Sequence, residues 1–401
     1  MHSAAKRGMK GEKAPVEADT GVDPLVMRTN VLYCLDCGKC TGTCPVTAVK
    51  PGFSPRRLVE MTLMAKPEEI ATNNYIWDCL TCGKCSNYCP TDVRFSDYIK
   101  GLRARALEQG GFSVMNHGGI TYSIARAMAK GDLKQKRLEW VGGAKVTVAE
   151  KGDVLLFTGC MVYFDLIFEP LHIDGAMTVL GNAVSIMNRA GIVPAVMADE
   201  VCCGHDELWS GEEGTFAKLM EKNIQAIKRT GAKKIVTVCP ECASTIKKYY
   251  KEMGGLEIEV VHISQFIDDL LKGGKIKLRL AKGKVTFQDP CRLAQHMEEV
   301  DAPRNVIAAV NPGGLVEMRD SKELASCCGT ALWRNCDSFS EGMRGDRLRQ
   351  AKETGADLVI TACPKCQIHF SCTLSGKCEE KGIDPNLKVK DLVTYVAENM
   401  E

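Results

Sequence analysis

Twenty-one of the 401 residues are cysteine, and most of them fall into repeated spacings. CLDCGKCTGTCP runs from Cys34 to Pro45 and CLTCGKCSNYCP from Cys79 to Pro90, both reading C-x2-C-x2-C-x3-C-P. Three thiolates on one tight loop can each reach a different iron of a [4Fe–4S] cube, while the fourth is carried away by the chain and ligates the other cluster. One cubane cluster is therefore expected on Cys34, Cys37, Cys40 and Cys89, and a second on Cys79, Cys82, Cys85 and Cys44. Gly38 and Gly83 let the backbone turn closely around a cluster, and Pro45 and Pro90 stop the loop from continuing as a helix. All-cysteine zinc sites favour paired CxxC knuckles instead. A disulfide framework is disfavoured by the odd cysteine count and by spacings that are mostly CxxC or CC.

Ten further cysteines form two matching sets. Cys160 is followed by 41 residues, Cys202–Cys203, 35 residues, then Cys239 and Cys242. Cys291 is followed by 35 residues, Cys327–Cys328, 34 residues, then Cys363 and Cys366. Adjacent cysteines point apart, which suits a cluster with several irons to bridge better than one tetrahedral ion. Gly204 and Gly329, directly after the pairs, are expected to leave room for close approach of the backbone to a cluster. Cys336, Cys372 and Cys378 belong to no motif and are expected as buried small hydrophobes or surface thiols.

The elements that must position these sets are legible. SPRRLVEMTLMAKPEEIA reads as a helix capped by Ser54, with Pro55 at its first position and Leu58, Met61 and Met64 on one face. FSDYIKGLRARALEQG reads as a second helix that stops at Gly110. Beyond residue 150 the chain alternates strand and helix. GDVLLFTGC and GKVTFQDPC are apolar strands ending at Cys160 and Cys291. A helix, a turn at Gly191 and a strand lead to Cys202, and NPGGLVEMRDSKELASCCG leads likewise to Cys328. TGAKKIVTVCPEC and TGADLVITACPKC are each a strand entering a CPxC loop, so this part is a tandem duplication of α/β character. The expected organisation is α+β / α/β multidomain: a tail over 1–25, a helical two-cluster ferredoxin domain over 26–110, a linker over 111–150, and duplicated α/β domains over 151–275 and 276–401. Ligand sites of such sheets gather at strand ends, where the cysteines lie.

The inserted helices of the first part resemble those of the ferredoxin domain of heterodisulfide reductases and of iron–sulfur subunits of succinate and glycolate dehydrogenases. The pattern C-x(n)-CCG-x(n)-CPxC resembles the CCG domain of heterodisulfide reductases, and the resemblance covers residues from about 26 to 401. It implies a fusion of the small ferredoxin subunit to the catalytic subunit. It further implies a non-cubane [4Fe–4S] cluster on each five-cysteine set, two such clusters facing a substrate cavity, and cleavage of a CoM–CoB heterodisulfide there. The alternative it leaves open is an electron-relay subunit with no disulfide of its own, inside a bifurcating, quinone-linked or tungsten benzoyl-CoA reductase complex.

Single residues carry weaker expectations. His205 could supply a proton when a thiolate leaves, and Arg292 could hold an anionic substrate group. Against these stand a hydrogen-bonded structural histidine and the lack of symmetry, since Thr330 and Met161 occupy the corresponding places. Trp209, Trp333 and His369 are expected as structural residues, and KGDLKQKRLEW as a solvated charge run. No GxGxxG or Walker pattern occurs, so flavin or nicotinamide is not expected on this chain. Electrons then come from other subunits: a flavin-bearing subunit, another iron–sulfur protein or a membrane cytochrome. A formal net charge of +2 gives no argument for nucleic acid. The most apolar stretch is cut by Asn182, Asn188, Arg189 and Pro194, and the start lacks a secretory h-region. A cytoplasmic protein is expected, peripheral to a membrane only through a partner.

Overall fold

The computed structural model describes residues 22–401 apart from 132, 134, 172, 377 and 379–381. Most of the expected tail lies outside the described residues, but its last positions do not belong to it. A helix already spans Pro24–Arg28, because Asp23 accepts a hydrogen bond from Leu25 N–H and Pro24 fits the first helical turn. Leu25 and Val26 are buried.

The ferredoxin part is built from short helices around α1 (Pro55–Thr62) and α2 (Phe95–Glu108). Ser54 caps α1 by accepting from Arg57 N–H at 3.3 Å. Leu58 is buried, whereas Met64 is 90% exposed, because α1 stops at Thr62 and Met64 leaves the helical face expected for it. The segment 111–150 carries α3 (Ile120–Lys130), whose Ala125, Met128 and Ala129 pack with Cys202 and Leu219.

Two three-stranded parallel sheets follow. The first is β1 (Val154–Phe157), β2 (Lys234–Thr237) and β3 (Glu259–His262), with Val154 beside Lys234 and Lys234 beside Glu259. The second is β4 (Val285–Gln288), β5 (Leu358–Thr361) and β6 (Lys388–Asp391), in the same order and register. Both faces of a parallel sheet are buried, which is why the central strands read as continuous apolar runs. The strands expected before each cysteine pair shrink to isolated bridges. Ala195 donates to Val154 and accepts from Leu156, but Pro194 before it has no N–H to extend the ladder. In the second half Leu315 bridges Val285, which donates to Gly314 O and accepts from Val316 N–H.

One core joins Leu156 and Val236 of the first sheet to Phe287 and Ile360 of the second. A second core packs Leu25, Tyr98 and Leu102 of the ferredoxin part with Leu348, Val359 and Phe370 of the second half. The three parts are therefore held by continuous apolar packing. Among the described residues no helix is long and apolar enough to cross a membrane.

Candidate metal centres

In the ferredoxin part, Cys34, Cys37, Cys40 and Cys89 line one pocket of about 440 Å³, which Cys85 also borders. Cys44, Cys79, Cys82 and Cys85 line a second of about 310 Å³. The loops wrap tightly because Asp36 and Thr81, like Gly38 and Gly83, adopt positive φ. That turn aims backbone N–H groups at sulfur: Asp36 N–H at Cys34 Sγ, 3.4 Å, and Thr81 N–H at Cys79 Sγ, 3.3 Å. Cys37 is exposed, so the first pocket reaches the surface there, while Cys85, buried, borders both. Burial pushes Cys79 up to about 12 and Cys85 well above the usual thiol range. Such sulfurs ionise only where a cation compensates them, and a soft sulfur donor set of this kind fits iron–sulfur clusters.

The first five-cysteine set gathers beyond the C-terminal ends of β1 and β2. Cys160 Sγ lies 2.9 Å from Cys202 Sγ, and Cys202, Cys203, Cys242 and Cys239 continue the chain of thiol contacts. These five line a pocket of about 640 Å³. Its loops are tied by Glu200, which is fully buried. Glu200 accepts from Gly159 N–H at 2.6 Å, Thr158 N–H at 3.1 Å, Thr158 Oγ1 at 2.8 Å and Arg137 Nη2 at 2.9 Å. Arg137 also donates to Gly159 O, so the loop bearing Cys160 is clamped to the one bearing Cys202. Arg137 sits in the stretch expected as a solvated charge run, yet it is 3% exposed. Composition concealed it, since nothing in a lysine-rich run marks the one arginine with a buried partner 63 residues away.

In the second half, Cys291, Cys327, Cys328, Cys366 and Cys363 are linked by the same succession of thiol contacts. His369 Nδ1 lies 3.2 Å from Cys328 Sγ. Its counterpart in the first half is Thr245, so only the second set has this ring beside a sulfur. The two halves meet at the sets themselves: the thiols of Cys239 and Cys363 are in contact. Lys365, between Cys363 and Cys366, reaches across to Asp206 at 2.6 Å and to Glu241 at 2.6 Å. Trp333, Pro364 and Lys365 of the second half thus wall the pocket of the first. Leu332, Trp333 and Asn335 all adopt positive φ, strain that the packing of Trp333 against Phe164 and Phe168 sustains.

The other expected residues are placed as follows. His205 lines the pocket, with Nδ1 2.9 Å from Asp206 Oδ1, and burial pushes it down to about 4. Arg292 does not take the place of an anion anchor in this pocket. Its Nη1 donates to Thr81 O at 2.6 Å and Nη2 to Thr81 Oγ1 at 2.8 Å, and its guanidinium lies over Trp209. Arg292 therefore fastens the Cys79–Cys82 loop to the second half, and Cys82 stands within electrostatic reach of Cys291 and Cys327. Trp209 is the floor for that arginine, and Trp333, expected as plain core, lines the cavity. A Cβ at Gly204 would meet Phe216 at 2.6 Å, and one at Gly329 would meet Ser340 O at 2.6 Å, so both glycines are required by protein packing. The glycine pressed against a sulfur is Gly159, whose Cβ would come within 2.8 Å of Cys242 Sγ. Cys336 and Cys372 are exposed, and Cys378 is buried with its thiol near Thr373 O.

Comparison with known proteins follows the same division. A 4Fe-4S dicluster domain matches residues 30–93, and a cysteine-rich domain of CCG type matches residues 154–247 and 285–371. A subunit of the dihydromethanophenazine:CoB–CoM heterodisulfide reductase of Methanosarcina barkeri is 28% identical over 91% of this chain and 93% of its own length. EtfAB:quinone oxidoreductase of Syntrophomonas wolfei is 30% identical over 53% of this chain and 30% of its own length. A subunit of the CoM/CoB fumarate reductase of Methanothermobacter marburgensis is 27% identical over 74% of this chain and 56% of its own length. With both domain types in one order and both cysteine sets complete, the chain is an iron–sulfur oxidoreductase of heterodisulfide reductase type, in which the ferredoxin part is followed by the paired cysteine-rich domains.

Proposed function

We propose that the chain holds four clusters and reduces a disulfide at its paired cysteine-rich sites. Cys34, Cys37, Cys40 and Cys89 would hold one cubane [4Fe–4S] cluster, and Cys79, Cys82, Cys85 and Cys44 the other. Cys160, Cys202, Cys203, Cys239 and Cys242 would hold one non-cubane cluster, and Cys291, Cys327, Cys328, Cys363 and Cys366 its twin. When bound, the clusters would supply one-electron storage and transfer.

The four cysteine sites form a file. Cys85 borders both ferredoxin pockets, Cys82 faces the second-half set, and Cys363 touches Cys239 of the first-half set. The exposed end, at Cys37, is where a flavin-bearing or iron–sulfur partner subunit would dock, with a membrane cytochrome as a further candidate. The observation that carries a catalytic role is the pocket at the inner end. The sulfur donors of the first set share its lining with Trp333, Pro364 and Lys365 of the second half, so the site is complete only where the two halves meet. A disulfide accepting two electrons from the partner and two protons would leave as two thiols. His205 would position the reacting group by its Nε2, which is buried there with no partner.

The second reading, a relay within a larger complex, draws on the relatives named as a quinone oxidoreductase and as a fumarate reductase subunit. Iron and sulfide analysis of anaerobically purified protein, followed by EPR with a panel of disulfides, separates the two. About sixteen irons per chain and a new paramagnetic signal with a disulfide support the reductase. The same iron with no response to any disulfide selects the relay.

A further inference from the structure

Besides the cysteines, the inner pocket is lined by the apolar side chains of Ile124, Ala125, Met161, Phe164, Ile167 and Trp333. Its one ammonium, Lys365, is buried and bracketed by two carboxylates, Asp206 at 2.6 Å and Glu241 at 2.6 Å. A cation closed by two acids has no surplus charge for an incoming anion. Neither nearby guanidinium replaces it. Arg292 is bound to Thr81, and Arg137 is closed into Glu200, Thr158 and Gly159. Glu207, also in the lining and 1% exposed, adds a third acid. An anionic group entering here would give up its hydration with no free cation to receive it.

What the pocket leaves open is uncharged hydrogen bonding beside apolar surface. His205 is 2% exposed and its Nδ1 faces Asp206, so Nδ1–H donates and Nε2 remains as an acceptor. That Nε2 and the Oγ1 of Thr121 are both buried with no partner, and both residues line the pocket. We propose that this pocket selects a neutral disulfide or thiol with an apolar body and one polar hydrogen for His205 Nε2, and rejects disulfides carrying carboxylate, sulfonate or phosphate groups. This rests on the disulfide reading above and names the substrate class within it.

The test uses the iron-loaded full chain, with binding read by equilibrium dialysis and by EPR. Bis(2-hydroxyethyl) disulfide is compared with 3,3′-dithiodipropionate, its dianionic near-isostere. The neutral compound is expected to bind tighter by roughly tenfold or more. In the Asp206→Asn/Glu241→Gln double variant, Lys365 is uncovered and the preference is expected to narrow or reverse. Lys365→Met is expected to leave the wild-type preference in place. Equal or tighter binding of the dianion to the wild-type protein overturns the selectivity while leaving disulfide binding intact. If neither compound binds or alters the EPR spectrum, the disulfide reading itself fails and the selectivity falls with it.

Discussion

Two buried side chains show how single residues hold the cysteine loops. Arg137 and Glu200 are 1% and 0% exposed at their side chains, and each offsets the other's charge. Removing one partner of such a pair leaves a bare charge in the interior, so Arg137→Met is expected to lower stability by about 3–5 kcal/mol. Thermal unfolding measures it, and a loss under about 1 kcal/mol would show that the pair does not clamp these loops. His262 is the second case. Its Nδ1 accepts from Ser264 N–H at 3.2 Å and its Nε2–H donates to Val238 O at 3.3 Å, an arrangement that only the neutral ring can make. Burial accordingly pushes it down from 6.5 to about 4. The unfolded chain takes up this proton first as pH falls. The stabilisation is thus full above pH 6.5 and is lost as pH drops toward 4. Between pH 7 and pH 5 this group alone removes about 2 kcal/mol. His262→Asn, whose side chain can still accept from Ser264, is expected to flatten that part of the stability–pH profile.

At the scale of elements, sequence and structure agree where local pattern governs. The β-branched runs before Cys239 and Cys363 are strands, and their CPxC loops open helices at Pro240 and Pro364. Pairing partners are set by tertiary context, which local pattern does not carry. Ala195 lies in an apolar stretch that looks like a strand, yet with Pro194 before it pairing stops at isolated bridges to Ala149 and Leu155. Arg137, Trp333 and Arg292 acquire their surroundings from residues far along the chain, which periodicity does not report. The CCG glycines were visible by motif, whereas Gly159, ordinary in its strand–loop context, is the one whose added Cβ would press on the sulfur of Cys242. Its φ of +62° and the 2.8 Å approach to Cys242 Sγ make Gly159→Ala costly on both counts. That variant is expected to purify with about four irons fewer of about sixteen. Gly231→Ala, at φ +69° with nothing within 4 Å, is the control and should keep its iron. Equal iron in both variants would separate Gly159 from cluster binding.

Over the whole molecule, the ferredoxin part is fastened to the cysteine-rich halves by buried cations that grip backbone carbonyls. Arg103 donates to Ile76 O at 3.0 Å, Cys79 O at 2.6 Å and Trp209 O at 2.9 Å, and Lys84 to Leu324 O at 2.5 Å. Arg292 adds its two bonds to Thr81. Arg292→Met is expected to loosen the Cys79–Cys82 loop and lower iron content by about four per chain, measured with the wild-type protein alongside. Full iron retention together with weakened disulfide binding would return Arg292 to the role of substrate anchor. The wall that closes the inner pocket bears on how the protein is made. His205, Asp206 and Glu241 receive Trp333 and Lys365 only after the second half of the chain has been synthesised. A nascent chain halted after the first half would present its five cysteines and its acids to water, with no cation from the second half beside them. Maturation of that site therefore waits until the second half has folded against the first.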